Sequence, residues 1–416
     1  MMSIDVFLDA FGQSRHVGTL RRHPGSGRER ITYEHDLDWL QSPEAFQFDP
    51  TLPLRRGALH PRAGREMFGT LGDSAPDTWG RRLMDRRERR LAEREGRRPR
   101  ALHEADYLLG VSDETRLGAL RFRINGIFQS PQPGGVPSTL ALGDLLNASR
   151  RIESGEETDE DLVLIFAPGS SLGGARPKAS VLDQHGSLSI AKFPKDSDHH
   201  SLERWEAIAL DMAAAAGLRV ADHELVEAAG RTVFLSRRFD RLRLPGGNEA
   251  QRVPFMSAMA MTEHADGDRN CSYLELVEAI GAHGASPAED RAELFRRIAF
   301  TILVSNTDDH FRNHGFLWTG RKGWTLSPLY DVNPVPDSPR ILSTNIDFDE
   351  ATASLGLLRA NAEYFLPLAE GDRIIRECAD VTGRWREFAR RRGAPDREIR
   401  LMETAFEHEE LKAAKE

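Results

Sequence analysis

A chain of 416 residues exceeds one ordinary core and predicts about two or three domains, while its net charge of −9 excludes nucleic-acid binding over the whole surface, so any DNA role is local or lent by a partner. No apolar run approaches the roughly 18 to 20 residues of a membrane span, and Met1 to Asp5 carry neither a basic region nor an apolar signal core; a cytoplasmic protein with no membrane contact is expected. Cys271 and Cys378 stand alone, which argues against a disulfide framework or a cysteine zinc site, and six lysines against fifty arginines make any lysine inside a motif a choice of chemistry.

The chain opens with three predicted strands. Ile4, Val6 and Leu8 alternate, residues 17–22 lie between Gly12 and Pro24, and residues 30–35 follow a Gly-Ser-Gly turn. At Gly72 to Leu83 a helix is expected to start, capped by Asp77 or Ser74, with Pro76 at its first position. Residues 81–100 hold ten arginines against four acids; a solvated helix with Glu88 paired to neighbouring arginines is preferred over a surface for DNA phosphate. A strand is predicted at 117–124. The Pro/Gly-rich stretch 129–137 is the best linker, which puts a domain boundary near residue 130. A helix over 140–153 and a polar acidic loop over 154–161 should follow.

Residues 168–180 form a glycine-containing segment whose backbone could approach phosphate oxygens, although it fits neither the Walker nor the protein-kinase glycine pattern and is equally readable as a hairpin turn. The strand Leu188 to Phe193 decides the matter. Lys192 sits mid-strand between Ile190 and Phe193, about twenty residues after the loop, where a kinase places the lysine that meets α/β-phosphates, and a lysine in an apolar strand is costly without an anion. Helix 201–216 offers the counter-charge. Glu206 shares a stripe with Leu210 and Ala213, whereas Glu203 lies off it, so Glu206 is the expected ion-pair partner. Two strands at 224–228 and 232–236 lead to residues 237–239, where a kinase hinge bonding adenine, or a strand end with solvated arginines, should fall.

Beyond Pro254 the pattern turns helical, over 255–261, 273–282 and 288–306. Ala265 to Asn270 lacks the spaced acids of a calcium loop. Next comes Asn306-Thr307-Asp308-Asp309-His310-Phe311-Arg312-Asn313, then a strand near 324–326 and Tyr330-Asp331-Val332. An acid, an amide five positions on and a second acid beyond a strand pair are what phosphoryl transfer from a nucleotide needs. Asp308 would orient or deprotonate a hydroxyl, while Asn313 and Asp331 would hold Mg²⁺ against the phosphates of ATP. Asp309 reads as a loop-stabilising acid. His310 and His314 have zinc-helix spacing without its glutamate, so His310 is taken as a neighbour of Asp308. Residues 352–416 read as scaffold helices.

Val17-Gly18-Thr19-Leu20, Pro76 to Leu83, Gly173 to Lys178, Ala191-Lys192-Phe193-Pro194, Arg238-Phe239-Asp240-Arg241, Thr307 to Asn313 and Leu329 to Val332 together resemble the HipA family of serine/threonine kinases, toxins of bacterial toxin–antitoxin modules. The resemblance covers nearly the whole chain. It implies an α+β, bilobal protein-kinase-like fold with a β-rich N-terminal accessory domain (1–130), a small lobe with ATP loop and hinge (131–250) and a mostly helical large lobe (251–416). By resemblance Asp308 is catalytic and Asn313 and Asp331 bind Mg²⁺. Gly173, Gly174, Ala175, Lys178, Lys192, Arg237, Phe239, His310, Asn313 and Asp331 would line the ATP site.

Family members also autophosphorylate a serine before the glycine loop. Ser171 aligns with it, beside Ser170, and a phosphoserine there could not share the pocket with ATP phosphates. The implied partners are a helix-turn-helix antitoxin, through which DNA is reached indirectly, and a protein substrate in translation, such as an aminoacyl-tRNA synthetase. The chain departs from the family at Gly-Gly-Ala-Arg-Pro-Lys, where some members have glutamine and glutamate before the lysine, and at Arg237, where an acid is frequent. Two other readings of the same residues are a small-molecule kinase of the sugar or antibiotic type and a pseudokinase co-repressor using residues 81–100.

Overall fold

The computed structural model describes residues 1–25, 29–129, 135–166, 174–243, 250–265, 267–268, 270–337 and 339–415. Packing divides the chain into two compact units, one of residues 1–196 and 226–263, the other of residues 197–225 and 264–416. No helix among the described residues is long and apolar enough to cross a membrane.

In the first unit, β1 (Met2–Ala10), β2 (Gln13–His23), β3 (Arg30–His35), β4 (Leu120–Ile124) and β5 (Ile127–Phe128) make one antiparallel sheet in the order β3-β2-β1-β4-β5. Alternation sends Ile4, Val6, Leu8, Val17, Leu20, Ile31, Tyr33 and Phe122 into a single core with Trp39, Leu71 and Leu108 from three short helices. Gly18 is dictated by this packing. A Cβ there would collide with the Tyr33 hydroxyl, which donates to the Val17 carbonyl at 2.8 Å, and with the Glu34 carbonyl.

A second sheet, β6 (Lys178–Leu182), β7 (Leu188–Lys192), β8 (His223–Ala228) and β9 (Arg231–Arg237), in the order β6-β7-β9-β8, belongs to the same unit except for residues 223–225 of β8. One face carries Ala179, Val181, Ala191, Val233 and Leu235 into a core with helices Leu142–Ser154, Asp159–Phe166 and Thr78–Arg94. Lys178, Lys192 and Phe234 lie in one row on the other face, because Lys178 is opposite Lys192 and Lys192 opposite Phe234.

The second unit is built on the helix Pro287–Leu303, whose Leu294, Phe295, Ile298, Phe300 and Ile302 are all fully buried. Around it stand helices Leu202–Ala215 and Tyr273–His283, the hairpin Gly315–Trp318 with Trp324–Leu326, and the helices running from Leu355 to Lys415. Trp205 packs near Trp385 and Phe406 and donates its indole N–H to Glu398 at 3.0 Å. Asp211 is held by Arg392 through two contacts of 2.6 Å and by His223 Nε2 at 3.1 Å.

Several local expectations are corrected. Asp159 to Phe166 is helical rather than loop, because Thr158 and Asp161 exchange side-chain and backbone hydrogen bonds as a capping box. Phe255–Ser257 is a strand, and the helix begins at Ala258 because the Ser257 hydroxyl accepts from the Ala260 amide. Asp77 is the cap of Thr78–Arg94, which leaves Pro76 outside the helix. Lys192 ends its strand instead of lying in the middle. Glu203 is as buried as Glu206, since helix Leu202–Ala215 is enclosed on nearly every side.

The arginine-rich segment is a helix only to Arg94, and several of its arginines are ion-paired. Arg81 meets Glu104 at 2.5 Å, Arg86 meets Glu157 at 2.9 Å, and Arg90 and Arg94 meet Asp159 at 3.3 and 3.2 Å. Glu88 is buried and pairs with Arg97 at 2.5 Å rather than one turn away. The boundary expected near residue 130 falls on residues 130–134, outside the described residues.

Candidate functional site

The first unit presents cations on one sheet face. Two ammonium groups directly opposed across an antiparallel pair repel each other unless an anion is present. Lys178 is buried and its Nζ lies 3.2 Å from Asp77 Oδ2; Lys192 is half-buried, with its Nζ 5.7 Å from the centroid of the Phe234 ring. Gly174 has φ +107°, and a Cβ on it would stand 2.8 Å from Lys178 Nζ, so only glycine fits beside that lysine. Ala175 is exposed next to it, while Gly173, Ser170 and Ser171 lie outside the described residues.

Where the hinge was expected, Arg237 ends β9 and is exposed, 3.7 Å from Asp183. The Arg238 amide is engaged with the Leu188 carbonyl at 2.9 Å. Its side chain is not solvated: it is buried in a fork on Asp240 at 2.6 and 2.5 Å, and it also reaches the Thr115 carbonyl at 3.0 Å. Asp240 further accepts from the Gly118 amide and from Arg241, both at 2.7 Å. Burial opposes its charge, yet Arg238 and Arg241 hold the carboxyl far below the usual range. Phe239 is half-buried, 6.3 Å from the Phe255 ring.

The second unit carries the acid–amide loop. Helix Pro287–Leu303 ends at Val304, and Ser305 turns the chain with φ +54°. Asp308 is exposed while Asp309 beside it is buried, so the two adjacent acids are separated by environment. The Asp309 Oδ2 accepts from the Tyr273 hydroxyl at 2.5 Å and the Thr301 hydroxyl at 3.4 Å and lies 3.2 Å from His314 Nε2. Burial resists ionisation here, but the charge and hydrogen bond of His314, with the Tyr273 hydrogen bond, hold the carboxyl below its ordinary value. The same burial, reinforced by the Asp309 charge, pushes the Tyr273 phenol well up. The Thr344 hydroxyl donates to the Asp309 carbonyl at 2.6 Å. The loop is thus held by two helices, by the residue that precedes strand Gly315–Trp318 and by a following segment.

On that base Asn313 donates its Nδ2 to the Asp308 carbonyl at 3.1 Å, which leaves Oδ1 as an oxygen donor. The Ser343 amide donates to the Thr307 carbonyl at 2.9 Å, and its hydroxyl lies 3.1 Å from that carbonyl and 3.5 Å from Asp308 Oδ1. Asp331 adopts φ +59° and accepts from Asn333 Nδ2 at 3.1 Å; the Asn333 amide donates to Asn306 at 3.0 Å, and Tyr330 donates to the Arg312 carbonyl at 2.7 Å. These bonds tie the Asp331 segment to the Asp308 loop. His310 is half-buried with its Nδ1 lacking a hydrogen-bond partner among the described residues, and His314 turns to Asp309. Glu206 lies buried on its helix.

The donor set suits Mg²⁺ with ATP. An amide oxygen and a carboxylate are hard oxygen ligands, and among the described residues no three His, Cys, Asp or Glu gather around one point, so a cation at Asn313 and Asp331 would take further ligands from phosphate and water. Tyr273, Thr301, Ser343, Thr344 and Asn333 carried no signal in the sequence. Asp77 did, but only as a helix cap.

Residues 170–402 match the family model described as the HipA-like C-terminal domain. A putative kinase of Haemophilus influenzae is 24% identical over 197 residues, 43% of this chain and 56% of that protein. The serine/threonine-protein kinase toxin HipA of Shewanella oneidensis is 24% identical over 188 residues, 40% of this chain and 43% of that protein. A putative kinase of Sinorhizobium fredii is 28% identical over 182 residues, 39% of this chain and 41% of that protein; the chain therefore spans about half the length of the curated relatives it matches. The structure of the Shewanella oneidensis MR-1 toxin–antitoxin system, HipA with HipB and operator DNA, superposes with a TM-score of 0.71 at 18% identity, covering 99% of this chain and 96% of that one. That likeness fixes the fold as the α+β, kinase-like fold of HipA.

Proposed function

The chain belongs to the HipA-like family, and from that membership we propose that it is an ATP-dependent serine/threonine protein kinase, the toxin of a toxin–antitoxin module. Its target would be a protein of translation such as an aminoacyl-tRNA synthetase, its restraint a helix-turn-helix antitoxin through which it meets DNA, and its off-switch phosphorylation at Ser171 or Ser170. The observation that carries the reading is the contrast between Asp308 and Asp309: one carboxylate exposed at the loop tip, the next buried and fully engaged in holding that loop.

Magnesium-bound ATP supplies the transferable phosphoryl group. Asp308 orients the acceptor hydroxyl and takes its proton as the oxygen bonds to phosphorus and ADP leaves. Asn313 and Asp331 would hold the cation. Lys192 and Lys178 would meet the phosphates, with Gly173, Gly174 and Ala175 approaching them through backbone, Arg237 and Phe239 placing the base, and His310 beside the phosphates. What supports this division of labour is the row of two lysines on one sheet face and the amide of Asn313 fixed on the Asp308 carbonyl.

The purified protein with magnesium and γ-labelled ATP should label itself at Ser171 or Ser170 and label a protein of a translation extract, and its expression should arrest growth. Asp308→Ala should abolish all three. Full growth arrest by Asp308→Ala would overturn the kinase reading in favour of a binding role.

A further inference from the structure

The Pro76-Asp77-Thr78-Trp79-Gly80 segment is unexplained by the catalytic reading, yet its contacts lead to the glycine segment. Asp77 divides its carboxylate. Oδ1 accepts from the Gly80 amide at 2.8 Å and caps helix Thr78–Arg94, while Oδ2 meets Lys178 Nζ at 3.2 Å. Both side chains are 4% exposed, so the pair is desolvated and its geometry is fixed rather than statistical. A second bond runs beside it, from the Trp79 amide to the Gly174 carbonyl at 3.4 Å, and Gly174 is the residue that only glycine can fill next to Lys178.

We propose that Asp77 is a positioning residue for the phosphate-binding Lys178, and that through it the first turn of helix Thr78–Arg94 responds to nucleotide. The inference rests on the kinase reading for the claim that Lys178 touches phosphate. The physical reason is the like charge of Lys192 across the strand pair. Without an anion of the protein's own, Lys178 would turn away from Lys192 whenever the phosphates leave. The carboxylate of Asp77 holds it in place between nucleotides, and the positive end of the helix shares the same carboxylate. When phosphate draws the ammonium, the cap and the first turn register the change.

Asp77→Ser keeps a capping hydroxyl while deleting the charge, so the helix should still form. Mg-ATP affinity, measured by calorimetry, should fall about tenfold or more in Asp77→Ser and recover in Asp77→Glu at least in part. Amide exchange in residues 78–84 should slow on adding Mg-ATP to the wild type and stay unchanged in Asp77→Ser. Wild-type affinity in Asp77→Ser overturns the proposal. A wild type that binds no nucleotide overturns the kinase reading instead. In the nucleotide-free protein the pair is tested independently: Asp77→Ser and Lys178→Met should be strongly non-additive in a thermal-unfolding cycle, and additive losses would refute the coupling.

Discussion

Tyr273 donates its phenolic hydrogen to Asp309 Oδ2 at 2.5 Å, with both side chains buried. This bond joins the start of helix Tyr273–His283 to the loop that displays Asp308. Tyr273→Phe preserves the ring and removes one donor from a buried carboxylate. The expected cost is about 1 to 3 kcal/mol in urea unfolding, with the slope unchanged. Asp309 contributes in the acid direction. Its folded pKa is depressed, so its stabilisation is present above the ordinary carboxylate pKa and disappears as pH falls through the folded value.

The Ser343 hydroxyl lies 3.5 Å from Asp308 Oδ1 and 3.1 Å from the Thr307 carbonyl. Ser343→Ala frees the carboxylate to rotate. Initial-rate kinetics should show kcat lowered about threefold to tenfold, KM for ATP unchanged and near-complete rescue in Ser343→Thr, the scale of one neutral hydrogen bond. An unchanged kcat would exclude the contact from catalysis.

His223 supplies the opposite pH dependence. Its Nε2 faces Asp211 at 3.1 Å and its Nδ1 faces the Ala221 carbonyl at 2.9 Å. Both neighbours are acceptors, and only the imidazolium has an N–H for each. Burial favours the neutral ring, but these two acceptors outweigh it and raise the pKa. The stabilisation is therefore complete below the ordinary histidine pKa and lost as pH rises through the raised one. The gap in melting temperature between wild type and His223→Gln should be widest near about pH 6 and narrow by about pH 8.

Asp240 sits under two arginines with none of its surface exposed. Asp240→Ala would strand the buried Arg238 without its partner and cost about 3 to 5 kcal/mol by chemical unfolding. Replacing Arg237, whose side chain is exposed and 3.7 Å from Asp183, should change stability by less than about 0.5 kcal/mol.

Much of this was legible in the sequence. The alternation of residues 4–8, the apolar run of 188–193 and the three- and four-residue spacing of 288–306 correspond to β1, β7 and the central helix, which ends at Leu303, because such patterns are local. Asp308, Asn313 and Asp331 were singled out by order and separation, and the structure ties the segment of the last to the loop of the first two. Tyr273, Thr301 and Thr344 were not, since each reaches Asp309 from about 8 to 36 residues away and any helix or loop holds such residue types without a partner. Glu203 was misplaced because a helical stripe cannot announce that a helix is enclosed on all sides. The two arginines of the expected hinge proved different in kind, Arg238 buried and Arg237 exposed, a distinction set by Asp240 and the strand end rather than by local pattern.

Asp331 holds its backbone at φ +59°, a region that an L-residue with a Cβ enters only at a cost. Glycine at this position would relax that strain while deleting the oxygen proposed to hold the cation. On the proposed reading, a population of variants sorted only by resistance to heat would therefore drift toward chains that endure longer and transfer nothing, so durability and potency would have to be selected with separate assays.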